Sequence, residues 1–172
     1  WHEGLIFKLK QIGIKGKLLD WFKSYLSERK QRVVINGQKS DWKNIDAGVP
    51  QGSILGPLLF LIYVDDIIKK IESGIFLFAD DTCLLEAITD MDLTFAMLNR
   101  DLERLSKWAE RWLVNFNPLK TKALIISKKT LRPIYPDLFL NGVKVTVVDT
   151  LCHLGLTLNN KLTWDSHIKT AC

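Results

Sequence analysis

The chain has 172 residues, of which 47% are hydrophobic and 25% are charged, with 24 Lys and Arg against 19 Asp and Glu for a net charge of +5. This composition is that of an ordinary globular protein, and it excludes intrinsic disorder and collagen-like structure. The longest apolar run, residues 54–64, is shorter than the roughly 20 residues that cross a bilayer. We expect one domain with no membrane partner and an intracellular location, in the nucleus or the cytoplasm.

The cysteines and the chain ends add two expectations. Cys83, Cys152 and Cys172 are odd in number and far apart, which supports neither a disulfide framework nor a set of zinc ligands. We expect each of them to be a small buried hydrophobe. Because the first residue is Trp1 rather than Met, and the last lies in what resembles a regular segment, we also expect the chain to be a fragment.

Charge is distributed unevenly along the chain. Residues 1–44 hold ten Lys and Arg against four acids, residues 45–117 hold six against twelve, and residues 118–172 hold eight against three. An acidic centre between basic flanks indicates a polyanionic partner for the flanks, although ordinary solvated lysines would give the same count. The candidate contacts are Lys8, Lys10, Lys15, Lys17, Arg29, Lys30, Arg32, Lys120, Lys122, Lys128, Lys129 and Arg132.

The first third of the chain predicts two helices and a hairpin. Apolar residues three or four apart predict one helix over residues 5–12 and another over residues 18–26. Three β-branched residues at 33–35 predict a strand over residues 31–35, and Asn36-Gly37 is a strong hairpin turn signal. We place the return strand around residues 42–46.

A glycine-rich loop at residues 48–53 leads into an apolar run at residues 54–68, which is most simply a buried helix. Two residues compete as its N-terminal cap. Ser53 would leave Pro57 inside the first turns, whereas Gly56 would place Pro57 at the first helical position, which proline favours.

The middle of the chain predicts a hairpin and a long helix. Two short apolar strands, residues 75–78 and 82–85, meet at two acids, which predicts a buried hairpin. From Thr89 or Asp90 to Trp112, apolar residues follow alternating gaps of four and three, which predicts a helix of about six turns.

The last part of the chain predicts strands, with a proline-containing connection at residues 131–136 and a turn at Asn141-Gly142. The candidate strands are residues 123–127, 138–140, 143–148 and 154–158. A mixture of helices and hairpins favours an α+β fold over a parallel doubly wound sheet.

The sharpest chemical feature is Phe78-Ala79-Asp80-Asp81. Two adjacent carboxylates in an apolar hairpin are costly to bury unless something neutralises them. Carboxylates are ligands that Mg²⁺ prefers, and two such ions can drive a phosphoryl transfer. A solvated Asp-Asp turn is the alternative.

Three other features are weaker. Asp65 and Asp66 follow the apolar helix, and we expect them to be its solvated C-terminal end. Gln51, in the loop at residues 48–53, could hydrogen-bond a base or a sugar, because the glycines around it let backbone approach a ligand. Lys120, in a turn before a strand, could lie near a phosphate. We assign no role to the histidines.

Taken in order, several segments resemble the reverse transcriptase of non-LTR, LINE-type retrotransposons. These segments are residues 48–60 (GVPQGSILGPLLF), 78–81 (FADD), 117–121 (NPLKT), 154–156 (LGL), 162–164 (LTW) and 167–168 (HI). The resemblance runs over essentially the whole chain, and four or more pieces in order at suitable separations make coincidence improbable.

The resemblance implies a right-hand polymerase fold, in which an antiparallel palm sheet with packed helices is accompanied by partial fingers and the start of the thumb. Residues 1–47 would span fingers and palm, residues 48–130 the palm core, and residues 131–172 the primer-grip hairpin and the start of the thumb. The reaction implied is RNA-templated DNA synthesis, with an RNA template, a DNA primer and deoxynucleoside triphosphates as partners.

The resemblance also implies roles for individual residues. Asp80 and Asp81 would be catalytic and would hold Mg²⁺ in a two-metal site, and Lys120 would lie near the triphosphate. The remaining implied contacts are Pro50, Gln51 and Gly52 with the nucleotide and template, and Leu154 and Gly155 with the primer.

The chain departs from the family in two ways. The family's first metal-binding aspartate lies just upstream of the segment that residues 1–5 resemble, so we expect the chain to lack it and to be inactive alone. His153 stands where the family usually has an aromatic residue. The alternatives are a catalytically dead nucleic-acid-binding remnant, a module that binds a partner helix through residues 91–112, and a metal-dependent phosphodiesterase.

Overall fold

The computed structural model describes residues 1–129 and 133–171. The expectations for Arg132 and Cys172, and for the start of the connection at residues 131–136, therefore lie outside the described residues. The chain forms two compact units, one made of Trp1–Lys69 with Phe76–Cys83 and the other of Lys70–Ile75 with Leu84–Cys172. We call them unit 1 and unit 2 and describe each by itself.

Unit 1 is built on three helices, α1 (His2–Gln11), α2 (Gly16–Leu26) and α3 (Leu55–Val64), the last continued by a single 3₁₀ turn (Asp65–Ile68). Helix α1 packs against both α2 and α3. The buried apolar side chains of this unit are Leu5, Leu9, Leu19, Phe22, Leu26, Leu59, Tyr63 and Ile67. The first two predicted helices are thus confirmed.

Helix α3 lies where the apolar run predicts it, but the prediction that it is buried is wrong on one side. Leu58 and Leu61 are 51% and 56% exposed. A helix that is apolar all round needs neighbours on every side to be buried, whereas the helix that packs most extensively against α3 is α1.

Between α2 and α3 the chain forms two small antiparallel pairs. Strand β1 (Lys30–Gln31) pairs with β4 (Lys43–Asn44), and β2 (Val34–Ile35) pairs with β3 (Gln38–Lys39). Asn36 and Gly37 have φ of 49° and 82°, the two positive values that a type I′ hairpin turn requires. The predicted turn is confirmed, but the strand that returns from it is β3, and the return strand expected around residues 42–46 is β4, which pairs with β1 instead.

Strands β5 (Gly74–Phe78) and β6 (Asp81–Leu85) pair with each other around the two acids, as predicted. The expectation that this hairpin is buried is wrong, because Phe76 and Phe78 are 58% and 64% exposed. Over residues 1–129 and 133–171 the two strands pair only with each other, so no further strand extends the hairpin at either edge.

Unit 2 is centred on helix α4 (Met91–Trp112). Asp90 caps its start by accepting a hydrogen bond from the Leu93 amide at 2.9 Å, and the helix ends at Leu113 in a left-handed conformation. Helix α4 packs against strand β8 (Phe139–Leu140). The core of the unit comprises the buried Leu102, Leu140 and Val145 with Leu84, Phe116, Ala123 and Leu138 around them. The long helix is confirmed.

The other elements of unit 2 are short. They are β7 (Lys122–Leu124), β9 (Val143–Lys144), β10 (Thr146–Val148), β11 (Thr150–His153), β12 (Leu156–Asn159) and α5 (Asp165–Ala171). Strand β8 pairs with β9, and β11 pairs with β12, both antiparallel, while β7 and β10 pair in parallel. The single strand predicted over residues 154–158 is instead the turn and second strand of the β11–β12 hairpin, and the predicted elements do not include α5.

The molecule therefore mixes helices and strands, as an α+β prediction requires, but its strands do not form the single antiparallel sheet that the family resemblance implies. In the part of the chain that the structure describes they pair two by two. The described strands are two to five residues long. Strands β7 and β10 pair in parallel, and the antiparallel β8–β9 hairpin lies between them in the sequence.

Cysteine burial and membrane spans can be compared with the expectations directly. Cys83 is half-buried, and burial raises the pKa of its thiol, whereas Cys152 is exposed, which contradicts the expectation of a buried residue. Among the helices of the described residues, none combines the length and the apolar character that a membrane span needs.

Candidate active site

The glycine-rich loop of unit 1 has a defined local structure. Gly48 and Gly52 have φ of 83° and 76°, a region that residues with a side chain rarely adopt. Between them, Gln51 is exposed and Pro50 is half-buried. The loop therefore presents the Gln51 amide and the Gly52 backbone on the surface, where they can approach a base or a sugar.

The junction of this loop with α3 settles which residue caps the helix. The Ser53 hydroxyl donates to the Pro50 carbonyl at 2.7 Å and accepts from the Gly56 amide at 3.0 Å. Helix α3 begins at Leu55 with Ile54 at its N-cap position, so neither of the two candidates is the N-cap, although the Ser53 hydroxyl does bond an amide of the first turn. Pro57 lies in the first turn without cost, because the first amides of a helix have no intrahelical acceptor.

Gly56 has a different role, which depends on space rather than on backbone angles. A Cβ atom added at Gly56 would lie 2.7 Å from the Pro50 carbonyl oxygen. The absence of a side chain thus lets the loop fold back onto the first turn of α3.

His2 holds the other end of the same loop, which the sequence did not reveal. Its Nε2 donates to the Gly48 carbonyl oxygen at 2.7 Å, across 46 residues of sequence. Since His2 lies at the start of α1, this bond ties the loop to the first helix. Nothing in the spacing of the histidines indicates such a contact.

Asp80 and Asp81 lie at the tip of the β5–β6 hairpin. Ala79 before them has φ of 49°, a left-handed conformation that costs a residue with a Cβ roughly 1 kcal/mol. Both carboxylates are exposed, so the premise that they are buried is wrong. The alternative of a solvated Asp-Asp turn describes their surroundings, and it leaves their oxygens accessible to a ligand.

The donor set at the tip can be compared with what a divalent cation needs. No group of three or more His, Cys, Asp or Glu side chains converges within the described ranges. Mg²⁺ commonly takes only one or two carboxylates from protein and completes its shell with water and phosphate oxygens. The two adjacent acids fit such a cation when a triphosphate supplies the other ligands.

The second acid pair, Asp65 and Asp66, follows α3. Asp65 is exposed as expected, but Asp66 is not a solvated end. Its carboxylate accepts from the Lys8 Nζ at 2.5 Å, and the same ammonium donates to the Tyr63 carbonyl. Lys8 is buried, so it is also unavailable to the polyanion for which its charge made it a candidate. Burial lowers the pKa of Lys8, and the bond to Asp66 opposes that effect.

Lys120 is exposed in unit 2, on a turn that Asn117 organises. The Asn117 Oδ1 accepts from the Leu119 amide at 3.0 Å, and the Asn117 carbonyl accepts from the Lys120 and Thr121 amides at 3.1 Å. Such a turn holds the backbone while leaving the lysine side chain in solvent. The predicted turn is thus present, with its ammonium accessible.

Leu154 and Gly155 form the turn of the β11–β12 hairpin, with φ of 49° and 81°. A bulky residue at positive φ is strained, and Leu154 is half exposed. Strain of this kind is often retained at binding sites. The hairpin presents an apolar side chain at its tip.

The site residues expected from the sequence fall into two groups. Unit 1 contains Pro50, Gln51, Gly52, Asp80 and Asp81. Unit 2 contains Lys120, Leu154 and Gly155. Each group is carried by surface turns, which is where binding residues are most often found.

Sequence reasoning also missed a buried acid in unit 2. Asp101, on α4, is fully buried and accepts hydrogen bonds from the Ser73 amide at 2.8 Å, the Ser73 hydroxyl at 2.9 Å and Arg104 at 2.8 Å, and also from the Glu72 amide. Burial alone would raise the pKa of Asp101, but the donors from Ser73, Glu72 and Arg104 outweigh it and hold the pKa below its usual range. The available signal for its burial was that Asp101 lies beside Leu102, within the apolar spacing that predicts helix α4.

The chain is similar to known proteins over most of its length. Residues 1–158 match the family described as reverse transcriptase (RNA-dependent DNA polymerase). The chain is 34% identical over 176 residues to the RNA-directed DNA polymerase from mobile element jockey of Drosophila melanogaster, and 32% identical over 177 residues to the probable RNA-directed DNA polymerase from transposon BS of the same organism.

A third relative, the probable RNA-directed DNA polymerase from transposon X-element of Drosophila melanogaster, is 31% identical over 173 residues. Each of these comparisons covers 98% of this chain and 19% of the relative, so the chain spans about a fifth of the length of the proteins it matches. A family match over residues 1–158 of 172 covers most of the chain. The chain therefore belongs to the reverse transcriptase family.

Proposed function

We propose that this chain is part of an RNA-directed DNA polymerase that copies the RNA of a mobile element of the non-LTR type. The observation that carries the proposal is the similarity to the jockey polymerase, which extends over 98% of this chain and includes the glycine-rich loop and the acid pair. The proposed partners are an RNA template, a DNA primer and deoxynucleoside triphosphates.

The proposed reaction is nucleotidyl transfer. The primer 3′-hydroxyl oxygen attacks the α-phosphorus of the incoming triphosphate, a new P–O bond forms, the bond from the α-phosphorus to the bridging oxygen breaks, and pyrophosphate leaves. Bound Mg²⁺ would supply Lewis-acid stabilisation of the charge on the phosphoryl oxygens. Asp80 and Asp81 would hold it, because their exposed carboxylates are accessible to a cation and a triphosphate together.

The other residues would bind and orient. Gln51 and Gly52, with Pro50, would contact the nucleotide and the template through an exposed amide and backbone. Lys120 would lie close to the triphosphate, since its ammonium is exposed on a fixed turn. Leu154 and Gly155 would contact the primer from the tip of their hairpin.

The proposed architecture follows the same family. Residues 1–47 would contribute to fingers and palm, residues 48–130 to the palm core, and residues 131–172 to the primer-grip hairpin and the start of the thumb. The glycine-rich loop and the acid pair, both within the central range, support this division.

Primer extension on an RNA template tests the proposal, using this chain and a longer segment of the same gene, with Mg²⁺ and all four triphosphates. We expect the longer segment to extend the primer and Asp80→Asn to reduce extension to background. Asp65→Asn is the matched control, because it removes an exposed acid from the other Asp-Asp pair and is expected to leave extension unchanged.

Two outcomes would contradict the proposal. A longer segment that binds an RNA–DNA hybrid but never extends the primer would favour a catalytically dead binding remnant. Hydrolysis of nucleic acid that is lost in Asp80→Ala, without primer extension, would favour a metal-dependent phosphodiesterase.

A further inference from the structure

The segment between α2 and α3 contains the longest continuous run of exposed residues in unit 1. Every residue from 27 to 44 is exposed. We call residues 29–44 the basic arm. Its charged residues are Arg29, Lys30, Arg32, Lys39, Lys43 and the single acid Asp41. The five cations against one acid make the arm complementary to a polyanion.

The pairing of the strands places part of this charge on one face with an aromatic ring. Lys30 and Asn44 are register partners, so their side chains share a face of the hairpin, and side chains two residues along each strand share it too. These are Arg32 and Trp42, and the Arg32 guanidinium lies over the Trp42 ring at 4.4 Å. The face thus combines two cations with an indole.

Trp42 is 58% exposed although a guanidinium covers one side of its ring. An exposed tryptophan beside cations is the arrangement by which proteins stack an unpaired base while neutralising the adjoining phosphates. A base in a duplex offers no free face for stacking, so this arrangement favours a single strand. A second arginine at the base of the arm, Arg29, lies 5.5 Å from the Tyr25 ring.

We propose that the basic arm binds single-stranded RNA, with one base stacked on Trp42 and the neighbouring phosphates bound by Lys30 and Arg32. The inference deepens the proposed polymerase function and rests on it for the identity of the strand as the template. The binding itself requires neither metal nor catalysis, so it can be measured separately.

The test uses this chain and a fluorescently labelled RNA of about 12 nucleotides, a length that covers a typical single-strand site. Fluorescence anisotropy gives the dissociation constant at several salt concentrations. The same sequence as single-stranded DNA and as duplex RNA forms the comparison. We expect the RNA single strand to bind more tightly than the duplex.

Two variants test the two parts of the face. Trp42→Ala is expected to weaken binding between about 5-fold and about 100-fold, the range of base–aromatic stacking, and Trp42→Phe to retain most of the affinity. The variant Lys30→Gln is expected to lower the salt dependence by roughly 0.7 in logarithmic slope, because one phosphate is no longer neutralised.

The matched control is Lys69→Gln, which removes the same charge from an exposed lysine of unit 1 outside the arm. If it weakens binding as much as the arm variant, or if Trp42→Ala binds as tightly as the wild type, the arm proposal is overturned. If duplex RNA binds as tightly as the single strand, the proposed stacking of a base on Trp42 is overturned. Tight binding of the arm with no primer extension by the longer segment would remove the polymerase proposal alone.

Discussion

Lys8 in unit 1 and Asp101 in unit 2 are both buried charged residues on otherwise apolar helix faces, but burial and hydrogen bonding balance differently at the two sites. Lys8 donates to the Asp66 carboxylate and the Tyr63 carbonyl, and its ammonium lies 5.0 Å from the centre of the Tyr63 ring. Asp101 accepts from two backbone amides, a hydroxyl and a guanidinium. The side chain of Lys8 is 5% exposed and that of Asp101 is 0% exposed, so burial itself does not distinguish them.

The two pKa values show which effect dominates at each site. Burial lowers the pKa of Lys8 despite the nearby carboxylates of Asp66 and Asp65, which means that loss of hydration outweighs their attraction. At Asp101 burial acts against the charge as well, yet the donors from Ser73, Glu72 and Arg104 lower the pKa below its usual range. The donors around Asp101 therefore outweigh the cost of burying its charge, whereas the surroundings of Lys8 offset only part of that cost.

The largest expected effect is at Asp101. Asp101→Ala leaves the Ser73 amide and hydroxyl without their acceptor, and we expect a loss of about 3–5 kcal/mol in the free energy of unfolding. Urea denaturation followed by circular dichroism measures it. Glu103→Ala, an exposed acid on the same helix, is the control and is expected to leave the midpoint unchanged. A small loss at Asp101 would remove the contrast between the two sites.

The next effect is at Asp66. Asp66→Asn leaves the Lys8 ammonium buried without its countercharge, and we expect a loss of about 1–3 kcal/mol. Adding Lys8→Met should restore much of this loss, because replacing both members of a buried pair is often nearly neutral. The double-mutant cycle is read by the same denaturation assay, and additive losses would mean that the two groups do not interact.

The pH dependence of stability separates the two sites further. The depressed pKa of Asp101 contributes stability that is present above its ordinary value of 3.8 and is lost as pH falls through the lowered folded value. Lys8 also has a lowered pKa, so the unfolded chain binds more protons just below 10.5 and stability rises with pH there.

Denaturation midpoints across pH test both statements. Asp101→Asn should reduce the loss of stability at acid pH, and Lys8→Met should remove the rise in stability with pH just below 10.5. Because burial also raises the pKa of Tyr63, the Lys8 contribution is taken as the difference between the wild type and Lys8→Met. An acid limb that is unchanged in Asp101→Asn would be incompatible with the donors described.

The smallest effect is expected at Glu72. This exposed acid pairs with Arg100 at 3.1 Å and Arg104 at 2.6 Å, and the bonds to these arginines lower its pKa. Water and salt screen such pairs. Glu72→Gln should therefore shift the denaturation midpoint slightly in low salt and not at all in high salt. A shift that persists in high salt would mean that Glu72 supports Asp101 through Arg104.

The sequence predicts elements whose signals are local. Helix α4 is recognised from its spacing and from Asp90 at its start, and the β2–β3 hairpin from Asn36-Gly37, because capping and turn conformation depend on neighbours in the chain. The glycine-rich loop and the acid pair are located by their residues in the same way.

Burial and long-range contacts are less accessible to sequence reasoning. Lys8 and Asp66 are 58 residues apart, and Asp101 and Ser73 are 28 apart, so no local pattern links them. The same reason explains why the sequence does not predict the exposure of Phe76, or of Leu58 on α3. Apolar spacing shows which residues favour an interior, but not which neighbours are available to form one.

Gly56 has a consequence for how this protein tolerates mutation. A side chain there would meet the Pro50 carbonyl at 2.7 Å, and since that carbonyl also accepts from Ser53, any replacement must shift the loop that presents Gln51. Residue 56 is itself buried. Among variants of this gene, a substitution at residue 56 is therefore expected to change the conformation of the loop even when every residue of the loop is unchanged.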